Sequence, residues 1–106
     1  MQDVLDWSLE KFGLRATKRY RILLKKAFVD IAEDPERPGA QGRPELGKDI
    51  FAYHIRFSRE RAQSGLGIVG NPRHFVVYRA GKNKNVIEII RILHDGRDLA
   101  RHVHHD

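Results

Sequence analysis

The chain has 106 residues, a formal net charge of +6, 41% hydrophobic and 32% charged residues, and no cysteine. That length supports one hydrophobic core and excludes two ordinary domains, so a single domain over residues 1–106 is expected. The absence of cysteine rules out disulfides and thiolate zinc sites; with no bilayer-length apolar run and no signal-peptide pattern in "MQDVLDWSLEKFG", the expectation is a soluble, cytoplasmic chain.

The first segment places Val4, Leu5, Leu9 and Phe12 at helical spacing, with Ser8 on the same side and Gly13 as the stop. A second, longer pattern puts Ala16, Tyr20, Leu23, Leu24, Ala27, Phe28 and Ile31 on one face until Pro35 forbids continuation. The two are expected to form an antiparallel hairpin. Lys18, Arg19, Arg21, Lys25 and Lys26 fall largely off the apolar stripe and make a basic flank, suited to phosphates, to acidic side chains or simply to water.

"DPERPGAQGRPELGKD" is rich in Pro and Gly and predicts a connecting loop. "FAYHIRF" alternates, with Phe51, Tyr53, Ile55 and Phe57 on a covered face and Ala52, His54 and Arg56 on an exposed one. "SRERAQSGLGIVGNP" predicts a long basic connection containing a short extended piece at "LGIV". "HFVVYRA" is the next strand, and "GKNKN" a hairpin turn into "VIEIIRIL". That last strand is apolar on both faces, which predicts a central position. Strict alternation also puts Arg91 and His94 on opposite faces. After it, Asp98 is placed to cap a terminal turn bearing Leu99 and Val103. The order of elements predicts an α+β domain, a helical hairpin packed on a small antiparallel sheet.

Six histidines, including "HVHH" at the end, raise a metal reading, but no companion ligand spacing supports one, so neither a metal nor a cofactor is expected. No phosphate-binding glycine loop or nucleophile elbow is present. A metal-free RNase needs only a base, an acid and cations, and Glu45, His54, Arg56, His74, Tyr78, Arg91 and His94 are the groups that could supply them. Against this, His54 and Arg56 fit the exposed face of their strand, and Arg91 fits an ion partner of Asp98.

"DWSLEKFGLRATKRY", "RPELGKDIFAYHIRFS", "PRHFVVYR" and "IIRILHDGRDLARHV", in that order, resemble the opening helix, the turn into the sheet and the closing strands of ParE-type toxins. The resemblance runs through nearly the whole chain. It implies the RelE/ParE superfamily fold and the role of toxin in a bacterial type II toxin-antitoxin pair linked to plasmid stabilisation, neutralised by a ParD-like antitoxin. The RelE branch of that superfamily cleaves mRNA on the ribosome; the ParE branch poisons DNA gyrase without enzymatic activity.

In the RNase branch, the strand matching "HFVVYR" commonly carries a catalytic Arg where this chain has Phe75, and the chain end carries a His or Tyr near the positions of Leu93 and His94. Glu45 matches an acid of some RNases but also belongs to the Pro-Glu-Leu turn of ParE proteins. The incomplete set favours a non-enzymatic ParE-like toxin; the alternatives are a ribosome-dependent endoribonuclease using His54, Arg56, Arg91 and His94, or a non-toxic binding module that keeps the fold. Arg15, Lys18, Arg19, Arg56, Arg91 and His94 are the candidates for antitoxin or target binding. Two departures from the family stand out: its first strand is absent, leaving a sheet edge open to a partner or a second copy, and the connection after "HIRFS" is long.

Overall fold

The computed structural model describes residues 1–81 and 86–96. Helix α1 spans Gln2–Phe12 and helix α2 spans Leu14–Glu33. A single residue, Gly13, joins them with φ of 87°, a left-handed conformation that suits glycine, and its N–H closes α1 on the Leu9 carbonyl. The hairpin is sealed by Val4 and Leu5 of α1 against Tyr20, Leu23 and Leu24 of α2. Burying each aliphatic side chain contributes on the order of 2 kcal/mol. The expected stripe of α1 is only half buried, because Leu9 and Phe12 are 49% and 62% exposed.

The sheet has four antiparallel strands in the order β1 (Ala40–Gly42), β2 (Ile50–His54), β3 (His74–Ala80) and β4 (Ile87–His94). Tyr53, Val76 and Tyr78 face the helices, and Ile50, Ala52, Val77 and Leu93 form a second cluster on the other face. The α+β architecture therefore agrees with the sequence. Five details differ.

The Pro- and Gly-rich stretch contains β1 and a 3-10 turn at Pro44–Leu46. Its strand is defined by pairing Ala40 with Tyr53 and Gly42 with Phe51, a long-range cause that local composition does not carry. The next strand stops at His54, not Phe57. There the chain turns into a 3-10 segment, Ile55–Ser58, because the His54 ring accepts the Arg56 N–H and caps it.

Strand β4 is not central: among the described residues nothing pairs with its outer edge, and Ile89 and Ile90 remain exposed there. A bulge between Val77 and Tyr78 on β3 leaves Ile90 without an opposed residue. Strict alternation is broken there, so Ile87 and Ile92, five positions apart, both pack on the helix-side core. The long connection bends through a 3-10 turn at Glu60–Ala62, with a bridge between Ser64 and Gly67 in place of a strand at "LGIV". Residues 82–85 of the expected hairpin turn and the terminal turn with Asp98, Leu99, His102 and Val103 lie outside the described residues.

Candidate functional site

Three polar clusters tie the strands, their connections and α2 together. In the first, His54 is 2% exposed, and the Arg56 N–H donates to its Nδ1 at 3.1 Å. That leaves the proton on Nε2, which donates to Asp95 Oδ2 at 2.9 Å. Arg73 Nε donates to the other oxygen of Asp95 at 2.8 Å. Burial lowers the His54 pKa and Asp95 only partly restores it, so the imidazole is held neutral more readily than usual. Burial raises the Asp95 carboxyl, but the hydrogen bonds from His54 and Arg73 outweigh it and hold the group below the ordinary value. The expectation that His54 lies on an exposed face is corrected: both ring nitrogens are engaged inside the fold.

The second cluster is built on Tyr20 of α2. Its phenol accepts the Arg73 N–H at 3.0 Å and points its own proton at His74 Nδ1, 2.6 Å away. Burial, partly offset by that backbone donor, pushes the phenol up to about 12, so it stays protonated. Trp7 stands edge-on to Tyr20, His74 and His94, with ring centroids 5.8, 4.9 and 5.8 Å apart.

In the third cluster the fully buried Asp30 receives Ser58 Oγ at 2.7 Å and Arg61 at 3.1 Å, with Lys26 and Arg37 at 3.5 and 3.7 Å. Because Ser58 spends its proton on Asp30, Tyr53 must donate to Ser58, at 2.8 Å. Burial raises this carboxyl too, and Ser58, Arg37, Lys26 and Arg61 together bring it below its usual value. This cluster clamps α2 to the 55–62 segment.

Three clefts border the connection that runs into β3, and Asn71 lines all of them. One, of about 600 Å³, is bordered by Trp7, Lys11, Phe12, Arg73 and His94. A second runs past Ser8, Phe12, Arg19 and Tyr20, and a third past Arg56, Phe57 and Arg59. The clefts thus bring together three of the residues singled out from sequence, namely Arg19, Arg56 and His94.

Arg15 and Lys18 are exposed on the first turns of α2. Arg91 is not part of this surface. It opposes Val77 of the apolar cluster formed with Ile50, Ala52 and Leu93, on the sheet face away from the helices, whereas His94 packs edge-on against Trp7. Arg91 and His94 therefore do diverge, as alternation from residue 91 onward requires. Glu45 is tied to Arg43 at 2.9 Å, which holds its carboxyl below the ordinary value, and Tyr78 donates to the Pro35 carbonyl. Trp7, Lys11, Phe57, Arg59, Asn71 and Arg73 were not foreseen as site residues, because their meeting is made by the tertiary fold.

Among the described residues no cluster of His, Asp and Glu could hold a metal ion, and no helix is long and apolar enough to cross a membrane. A helical hairpin packed on an antiparallel sheet is the architecture of the RelE/ParE-like class. Within that class the chain belongs to the family described as "ParE toxin of type II toxin-antitoxin system, parDE", whose model matches residues 1–99. It is thus a type II toxin, and membership implies an antitoxin partner. No curated protein and no solved structure matches the chain.

Proposed function

We propose that the chain is a non-enzymatic, ParE-like inhibitor of DNA gyrase, neutralised in the cytoplasm by a ParD-like antitoxin and acting in plasmid stabilisation. The observation that carries the non-enzymatic part is the state of His54. With one ring nitrogen accepting a backbone N–H and the other donating to Asp95, it has no lone pair or proton to exchange with a substrate.

The other groups of an RNase reading are dispersed. Arg91 lies on the opposite sheet face from His94, and Phe75, whose ring packs against His54, can neither move a proton nor hold phosphate charge. A ParD-like antitoxin would lay apolar side chains along the hairpin or the open edge of β4 and set acidic residues against Arg15, Lys18, Arg19 and Arg56, with His94 at the rim. Arg91 would serve a second partner or a second copy on the other face. Exposed pairs of this kind steer association more than they tighten it.

Expression of the chain alone in a bacterial host should arrest growth while mapped mRNA ends stay those of the uninduced culture, and co-expression with a ParD-like protein should restore growth. New mRNA ends within codons would assign the ribosome instead. Unimpeded growth would leave the non-toxic binding module as the correct account.

A further inference from the structure

The geometry points to a binding site for single-stranded nucleic acid in the clefts that meet at Asn71, with phosphates on Lys11, Arg56 and Arg73 and bases against Phe12 and Phe57. This site goes beyond the gyrase reading and does not depend on it.

The first support is charge without counter-charge. Among the described residues Lys11 has no ion pair, and the Arg56 guanidinium lies 4.6 Å from the Phe57 ring centroid with no carboxylate beside it. Arg19 and Arg59 donate only to the neutral carbonyls of Leu66 and Val69. Arg73 is the exception, paired through Nε with Asp95, but its terminal guanidinium nitrogens remain available to a ligand. A concave surface with this excess of positive charge selects a polyanion.

The second support is the placing of aromatic rings among those cations. Phe12 is 62% and Phe57 46% exposed, each at a cleft that also holds arginine or lysine. Cations alternating with exposed rings match a strand whose phosphates alternate with bases, since every base offers a face for stacking. Asn71, between them, carries an amide able to donate to and accept from a base edge.

A third observation is independent of both. Ser8 Oγ is fully buried, lines the cleft beside Phe12 and Asn71, and has no hydrogen-bond partner among the described residues. Such a group costs stability unless a ligand satisfies it. A duplex fits poorly here, because its bases are already stacked and its phosphates lie on a convex cylinder.

Trp7 is the only tryptophan and borders the cleft of about 600 Å³, so its fluorescence reports the site. Titrating the full chain with twelve-nucleotide oligothymidylate and oligouridylate should give a saturable quench with both. The logarithm of affinity should fall with the logarithm of salt concentration with a slope of about −2, as for three phosphate contacts on a single strand. Lys11→Ala and Arg56→Ala should each flatten that slope by about 0.7. Phe12→Ala should weaken binding about tenfold through lost stacking.

Arg91→Ala removes the same charge from the other sheet face and should change neither quantity. All four side chains are exposed, so these variants retain the fold. The proposal is overturned if neither oligonucleotide gives a saturable quench, or if Arg91→Ala weakens binding as much as Lys11→Ala. Equal binding of duplex, or of polyglutamate with Phe12→Ala indifferent, would also overturn it, the latter result assigning the cleft to acidic peptide.

Discussion

His54 has the chemistry of a general base and the surroundings of a structural bracket. One nitrogen caps the turn that carries Arg56 and Phe57, and the other holds Asp95 at the end of β4. Its folded pKa lies below the ordinary value of 6.5, so the folded protein binds that proton less readily than the unfolded chain does. Stability from this group is complete above the ordinary value and is lost as pH falls through the folded one. A second loss begins below the ordinary carboxylate value of 3.8, where Asp30 and Asp95, both lowered in the fold, become protonated in the unfolded chain first.

Melting temperature should therefore decline between about pH 7 and pH 5, and His54→Gln, less stable throughout, should be nearly flat across that window. A decline of equal size in the variant would show that another group titrates there. At this scale the site was partly legible. Arg19, Arg56 and His94 could be named from their chemistry, whereas Lys11, Asn71 and Arg73 could not, since Asn71 and Arg73 lie some sixty residues from Lys11 in the chain and meet it only at the cleft.

The elements differ in legibility because they differ in what defines them. Both helices were read correctly from apolar spacing, with Gly13 and Pro35 as their limits, since those signals are local. Strand β1 has three residues and no alternation; only its pairing with β2 makes it a strand. The early end of β2 depends on the rotamer of one histidine, and the faces of β4 on a bulge, neither of which leaves a periodic trace.

Close approach of β1 to the 55–58 turn also explains a glycine. Gly39 has φ of 99°, and a Cβ there would stand 2.7 Å from the Phe57 ring. Gly39→Ala should cost about 2 kcal/mol in chemical denaturation, part steric and part conformational. Adding Phe57→Ala should return the steric part and leave about 1 kcal/mol. An undiminished loss in the Phe57→Ala background would mean that the ring does not set this constraint.

Across the whole molecule, the packing separates what the sequence had grouped. The candidates divide between a helix-side surface, where Arg19, Arg56 and His94 line clefts that share Asn71, and the far sheet face, which carries Arg91 and the buried His54. Family membership accounts for the fold and for the role of toxin, and the locked His54 is what supports the proposal that the toxin acts by binding.

The most direct measurement is gyrase supercoiling of relaxed plasmid in the presence of the purified chain, run beside a translating ribosome assay with the same protein. The account predicts that supercoiling stops while ribosome-bound mRNA stays intact. Unaffected supercoiling together with mRNA cut within codons would contradict it.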